Sequence, residues 1–93
     1  MTQTMVVRPA GPDDLGWILK LNRVHEEALS PLDADGLSKL VSKALLVRVV
    51  EPWAGFVICL DQDADYDSPN FRWFRERYSR FAYVDRIAVD AGV

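Results

Sequence analysis

The segment that constrains the fold most is the apolar run at residues 81–90, near the end of the chain. It contains Phe81, Val84, Ile87 and Val89 among few polar residues, a composition that predicts a β-strand. A strand this apolar at a terminus would leave an unpaired hydrogen-bonding edge, which tends to recruit further strands. We therefore expect an incomplete domain, in which more chain follows Val93.

The rest of the sequence predicts two helices between strands. Residues 5–9 form a short segment with β-branched residues, and Pro9, Gly11 and Pro12 interrupt it, which predicts a strand that ends in a turn. The first helix carries an apolar stripe at three- and four-residue spacing, formed by Trp17, Ile18, Leu21, Val24 and Ala28. The second begins near Asp33, and its predicted buried face consists of Leu37, Leu40, Val41 and Ala44. Residues 45–50 and 56–60 then form a hairpin. This order, strand-helix-helix-strand-strand-strand, predicts a single mixed α+β domain over residues 1–93 with a mainly antiparallel sheet.

Charge and composition argue against several classes of protein. The net charge is −3 and the isoelectric point is about 5.0, whereas nucleic-acid binders and proteins of anionic membranes usually have a basic surface. The first residues form no basic leader, and no apolar run approaches the roughly 18 residues of a membrane span. We therefore expect a cytoplasmic protein that binds neither nucleic acid nor membrane. The single cysteine, Cys59, lies in an apolar run and is predicted to be a core residue.

Four alternating aspartates at residues 61–67 invite comparison with a calcium-binding EF-hand loop. The sixth position of such a loop needs glycine and the twelfth needs glutamate, but this chain has Tyr66 and Arg72 there. We therefore predict a solvated acidic loop and no metal site.

The segment after this loop mixes aromatic residues with arginines. Phe71, Phe74 and Tyr78 recur at helical spacing, which predicts a short helix that docks an aromatic face. The arginines at positions 72, 75, 77 and 80 would then face water or the acidic loop. The alternative is a surface that stacks bases and contacts phosphates, and we favour the docked helix.

Taken in order, three short segments resemble the first half of the GNAT acyltransferase superfamily, whose members transfer an acetyl group from acetyl-CoA to an amine. Residues 7–10 (Val-Arg-Pro-Ala) with 13–15 (Asp-Asp-Leu) are similar to the opening strand and the start of the first helix. Residues 55–58 (Gly-Phe-Val-Ile) resemble the third strand, and residues 87–90 (Ile-Ala-Val-Asp) resemble the fourth. The resemblance covers nearly the whole chain and implies an N-acetyltransferase with acetyl-CoA as co-substrate and a small-molecule or peptide amine as acceptor.

The resemblance also implies where the cofactor would lie. The family continues from its fourth strand into a glycine-rich loop that holds the CoA pyrophosphate at a helix N-terminus. Only residues 91–93 follow here, and Gly92 alone cannot be assigned that role. The fourth strand of the family binds the pantetheine arm through its main chain, so Ile87, Ala88 and Val89 are the cofactor-contact candidates. This half alone is expected to be inactive.

Catalytic candidates follow from the same strand, where the family often carries its base. Tyr83 and Asp85 are two residues apart, so we expect them on the same face of the strand, together with Phe81, Ile87 and Val89. Asp85 is the better candidate base, because a partly desolvated carboxylate has a raised pKa. The alternatives are that Asp85 pairs with a neighbouring arginine or caps a sheet edge, and that Tyr83 is a packing aromatic with its hydroxyl at the surface. The general acid is not assigned.

Substrate-contact candidates lie on helices. Asn22 and Glu26 are four apart near the helix-helix connection that often lines the acceptor site in the family, and Trp73 belongs to the aromatic helix expected to wall that site. A solvated helix face accounts for Asn22 and Glu26 equally well.

A function of a different class remains open. The edge of the last strand could recruit another chain by strand addition, which would make this a non-catalytic interaction module. The partner would be a second copy or a complementing C-terminal half.

Overall fold

A four-stranded antiparallel sheet with strands in sequence order forms the frame of the protein. The computed structural model describes residues 6–51 and 53–90. Its elements are β1 (Val6–Pro9), a 3-10 turn (Pro12–Asp14), α1 (Leu15–Val24), α2 (Glu26–Leu29), α3 (Ala34–Lys43), β2 (Leu46–Glu51), β3 (Gly55–Asp61), α4 (Pro69–Arg77) and β4 (Ala82–Val89). The predicted α+β class, the hairpin and the aromatic helix are confirmed. Met5 of the predicted first strand, Pro52 of the hairpin connection and residues 91–93, including Gly92, lie outside the described residues.

Local chemistry explains where the helices begin. The Asp33 side chain accepts a hydrogen bond from the Gly36 amide at 2.7 Å, so it caps α3 as predicted. Ser68 caps α4 in the same way, and Pro69 occupies the first helical position, where no amide hydrogen is needed. In the described ranges, none of the helices has the length and apolar character needed to cross a membrane.

The core lies between one face of the sheet, here called the inner face, and helices α1 and α3. Ile18 and Leu37 are fully buried there, and they meet strand residues such as Val49, Ile58 and Leu60. The predicted stripe of the first helix extends too far, because Val24 is 75% exposed and Ala28 is exposed as well. Val24 is the last residue of α1, and at His25 the backbone leaves helical geometry (φ −110°, ψ 19°), so the helical spacing that would carry the stripe on to Ala28 is interrupted.

The opposite face of the sheet, the outer face, is also apolar but is largely uncovered by described residues. Cross-strand pairing puts Val7, Val50, Gly55 and Val89 on this face. Three apolar side chains that β4 contributes to it are at least half exposed: Val84 at 52%, Ile87 at 59% and Val89 at 54%. The charged side chain of Arg48 lies among them. A sheet with two apolar faces is typical of a central layer, covered on both sides.

Strand β4 contains a bulge that changes which residues share a face. Ile58 pairs with Arg86 and the next residue, Cys59, pairs with Val84, so Asp85 is an extra residue without a partner on β3. The prediction that Ile87 and Val89 share a face with Tyr83 is therefore wrong. Beyond the bulge the inward positions are Arg86 and Ala88, which are both buried.

Candidate functional site

The bulge places two oppositely charged side chains inside the protein. The Arg86 Nε donates a hydrogen bond to Asp85 Oδ2 at 2.9 Å, and these side chains are only 8% and 4% exposed. A buried charge is strongly unfavourable unless it is paired and hydrogen-bonded, so each of the two residues requires the other. The pairing of Asp85 with a neighbouring arginine, one of the two alternatives from the sequence, is what the structure contains.

Two more side chains extend this pair into a polar chain, which we call the Asp85 network: Asn22, Tyr66, Asp85 and Arg86. The Arg86 Nη1 donates to Asn22 Oδ1 at 2.9 Å, and the Tyr66 hydroxyl donates to Asp85 Oδ1. Asn22 is 1% exposed, and its Nδ2 donates to the Ser30 carbonyl at 3.1 Å. The network therefore connects α1, the segment after α2, the loop after β3, and β4.

The network has clear electrostatic consequences for Tyr66. Burial of the phenol, together with its hydrogen bond to the carboxylate of Asp85, raises the pKa of Tyr66 to about 12. Tyr66 therefore stays protonated and keeps donating at neutral pH. Each of the two Asp85 oxygens accepts one hydrogen bond, but a carboxylate offers about four lone-pair positions in all. Asp85 thus keeps capacity to accept a further hydrogen bond, and its role as a base remains a prediction.

The other catalytic candidate, Tyr83, lies in an aromatic cluster. Its ring centroid is 5.6 Å from that of Phe71 and 5.9 Å from that of Phe74, and the side chain is half-buried. Phe71 is fully buried at the centre of this cluster and also meets Tyr66 and Phe81 edge-on. Tyr83 therefore packs as an aromatic residue, which was the alternative to a catalytic role.

The cofactor-contact candidates occupy the second half of β4. Ala88 is 5% exposed and points inward opposite Phe56, whereas the side chains of Ile87 and Val89 lie on the outer face. Within the described sheet, β4 pairs with β3 alone, so its far side is an edge. The main chain of residues 87–89 thus forms part of this edge, where its amide and carbonyl groups can bind an extended ligand.

The substrate-contact candidates do not form one cluster. Asn22 is buried and both ends of its amide are engaged in the network described above. Glu26 is exposed at the start of α2, beside a shallow depression lined also by Arg23 and Asp33. Trp73 lies on α4 and is 46% exposed. The structure joins Asn22 to Asp85 through Arg86, and it leaves Glu26 and Trp73 on the surface.

A second polar cluster, around Asp14, has a structural role, because it connects β1 to the beginning of α1. Asp14 is 5% exposed and accepts hydrogen bonds from the Arg8 guanidinium (2.8 and 2.9 Å), the Gly11 amide (2.7 Å) and the Trp17 indole (2.8 Å). The hydrogen bond from Arg8 is the main reason that the pKa of Asp14 lies well below its usual range. This aspartate ties β1 to α1, and its hydrogen bonds to Arg8 and Trp17 were not foreseen.

Sequence reasoning did not say which arginine pairs with Asp85, and it missed Tyr66. The available signal was a charged residue next to Asp85 in an otherwise apolar strand, since such a residue needs a partner when it is buried. Nothing local identifies Tyr66, which reaches Asp85 from 19 positions away. Among residues 6–51 and 53–90, no three His, Cys, Asp or Glu side chains are grouped so that they could hold a metal ion.

Comparisons of the chain with protein-family models, with curated proteins and with solved structures found no match.

Proposed function

We propose that this chain forms the β1–β4 part of a GNAT-like N-acyltransferase domain that uses acetyl-CoA and an amine acceptor. The antiparallel sheet in sequence order, with the first helices on one face, agrees with the element order expected from the resemblance. A fold class alone does not determine a function, so the proposal also rests on the features of β4 and of the outer face.

The observation that carries the proposal is the combination of a bulge and an edge in β4. Bulges are over-represented next to active sites, where they re-aim a side chain, and this one turns Arg86 inward beside Asp85. The following residues, Ile87 to Val89, are paired on one side by β3. Because the pantetheine arm of CoA is extended and contains two amides, it can add to such an edge as a strand does.

Asp85 has a defined role in this proposal. It accepts a proton, directly or through water, from the ammonium group of the acceptor, and the neutral amine then attacks the thioester carbonyl. A C–N bond forms as the C–S bond breaks, the nitrogen then releases its second proton, and the departing CoA thiolate takes up one proton, so that the products are the amide and free CoA. Arg86 and Tyr66 hold the carboxylate in place, and they are positioning residues in this reaction.

The outer face adds support of a different kind. Its exposed valines and Ile87 form an apolar surface that a central sheet layer normally buries under helices. In this proposal, the remainder of the acyltransferase domain covers that face and supplies the pyrophosphate loop.

The test is an NMR titration of the 15N-labelled chain with two fragments of CoA. We expect 4′-phosphopantetheine at millimolar concentration to shift the amide signals of Ile87, Ala88 and Val89, whereas adenosine 3′,5′-bisphosphate leaves them unchanged. The amides of Val7 and Arg8, on the opposite edge strand β1, are the internal control. Equal shifts at both edges, or no shift at residues 87–89, would contradict the proposal.

A second candidate is the non-catalytic module that recruits a chain by strand addition. It is favoured by the exposure of Val84, Ile87 and Val89 on an edge strand of the described sheet. Light scattering after size exclusion separates the two functions. A specific complex that is lost when Ile87 is replaced by lysine, with no response to 4′-phosphopantetheine, supports the module.

A further inference from the structure

Two oppositely charged surfaces follow each other along the chain, and both lie beside the first half of β4, where Tyr66 contacts Asp85 and Phe74 contacts Tyr83. The first, the acidic loop, comprises residues 61–67 and carries four aspartates. The second, the arginine-aromatic face, comprises six of the exposed side chains of α4 and of the residues just after it: Trp73, Phe74, Arg75, Arg77, Tyr78 and Arg80. The acidic Glu76 is exposed on the same helix. The two surfaces are joined covalently at Ser68, which caps α4.

The arginine-aromatic face exposes three large rings that contact one another. Trp73 is 46% exposed, Phe74 37% and Tyr78 52%. The Trp73 and Phe74 centroids are 4.9 Å apart, and Phe74 stacks against Tyr78 at 6.1 Å. The Arg77 guanidinium carbon lies 4.1 Å from the Trp73 ring centroid, which orders both side chains. Tryptophan, tyrosine and arginine are the residue types that dominate the binding energy of protein interfaces.

The charges of the two surfaces are only partly neutralised within one molecule. Arg72 pairs with Asp67 at 2.8 Å, and Arg77 approaches Glu76 at only 3.9 Å. Arg75 and Arg80 make no ion pair with any described residue, and neither do Asp63 and Asp65 (described ranges 6–51 and 53–90). Each surface therefore keeps charge that a complementary surface could neutralise.

We propose that these two surfaces form a two-fold interface with a second copy of this chain, in which the arginine-aromatic face of each copy contacts the acidic loop of the other. A two-fold axis brings the same region of both molecules together. The basic surface of each copy then contacts the acidic surface of the other, and the two contacts are equivalent. The three rings lie at the centre of this contact and the charged pairs at its rim. The proposal rests on exposed side chains of α4 and of the acidic loop, and it requires no acyltransferase activity.

A polyanionic partner fits the same surface less well. Single-stranded nucleic acid could stack on Trp73 and Tyr78 and pair with the arginines, as in sequence-independent binders. However, such a strand would also pass the four aspartates that lead into α4, in a protein of net charge −3. In the proposed dimer, by contrast, the arginines of the second copy lie opposite those aspartates and neutralise them.

The test is a charge-swap experiment on the whole chain, followed by analytical ultracentrifugation at low ionic strength. One variant combines Arg77→Glu with Arg80→Glu, and the other combines Asp63→Arg with Asp65→Arg. All four side chains are exposed, so we expect both variants to fold with the circular dichroism spectrum of the wild type. Each variant alone faces its partner copy with like charges, and we expect its dimer dissociation constant to rise at least about 30-fold. An equimolar mixture restores opposite charges in both halves of the interface, so heterodimers should form within about threefold of the wild-type affinity.

Two further variants make the assignment specific. Trp73→Ser removes the central ring without changing charge, and we expect it to abolish the dimer. Ile87→Lys alters the outer face of β4 and should leave the dimer intact, because Ile87 lies outside the two surfaces. The proposal is overturned by a monomeric wild type, by failure of the mixed variants to associate, or by loss of the dimer in Ile87→Lys. It is equally overturned if the wild type is monomeric and binds a single-stranded oligonucleotide through Arg77 and Arg80.

Discussion

The buried pair in the β4 bulge makes a strong prediction about stability, because removing one charge leaves the other without compensation. In Arg86→Met, an apolar side chain of similar length replaces the guanidinium. Asp85 then keeps only the Tyr66 hydrogen bond, and the amide oxygen of Asn22 loses its donor. Breaking a buried ion pair in this way typically destabilises a protein by about 3–5 kcal/mol.

The magnitude is large on the scale of this domain. At roughly 0.05–0.15 kcal/mol per residue, a chain of 93 residues has a free energy of unfolding of about 5–14 kcal/mol. A loss of about 3 kcal/mol lowers the melting temperature of a domain of this size by about 12–24 °C. Thermal and urea unfolding followed by circular dichroism measure the change, and Tyr66→Phe is the milder comparison because it removes one hydroxyl.

The double variant decides whether the cost comes from the unpaired charge. In Asp85→Asn with Arg86→Met, neither residue of the pair carries a charge, and the introduced amide can still accept the Tyr66 hydrogen bond. We therefore expect the double variant to be more stable than Arg86→Met alone, with a coupling energy of about 1–3 kcal/mol. If Arg86→Met changes the free energy of unfolding by less than about 1 kcal/mol, or if the two substitutions are additive, the argument from burial is wrong.

Four further outcomes follow from the contacts described above. Asp14→Asn should destabilise the protein by about 2 kcal/mol near pH 7. Folding lowers the pKa of Asp14, so the stability that this residue contributes is complete above its unfolded pKa of about 3.9 and is lost as the pH falls below that value. The unfolding curves of the wild type and of the Asp14→Asn variant should therefore converge in acid. Tyr66, with its pKa raised to about 12, should stabilise the fold fully below about pH 10 and lose that contribution toward pH 12, and ultraviolet titration against Tyr66→Phe measures this. Gly55→Ala should destabilise by about 1–3 kcal/mol, because the added Cβ would lie 2.8 Å from the Ala88 carbonyl oxygen. Gly16→Ala, where nothing lies within 4 Å of the added Cβ, should instead stabilise α1 by about 0.5–1 kcal/mol, and urea unfolding of both glycine variants compares them.

Periodicity was sufficient to predict most of the fold, because hydrophobic spacing determines which segments can cover a sheet. The stripe with Leu37 and Leu40 and the hairpin around Gly55 both appear where the sequence indicated. Asp33 as a helix cap also follows from chemistry local to the sequence. These features depend on interactions within a few residues, which a single sequence contains.

The candidate site was harder to predict, because it depends on an irregularity and on distant partners. Alternation with a period of two assumes a regular strand, and one extra residue at Asp85 reverses the face of every later residue. The assignment of Ile87 to the same face as Tyr83 failed for that reason. The partners of Asp85 and Arg86 come from Tyr66 and Asn22, and a tertiary contact of this kind leaves no local pattern in the sequence.

The β4 bulge also indicates which residue of the strand is dispensable for the sheet. If Asp85 were deleted, Val84 and Arg86 would become neighbours and would keep their present pairing with Cys59 and Ile58. The strand would then alternate regularly from end to end, with every remaining side chain on its present face. Asp85 is therefore an insertion that β-pairing does not require, and its contribution to the molecule is the carboxylate that it places beside Arg86.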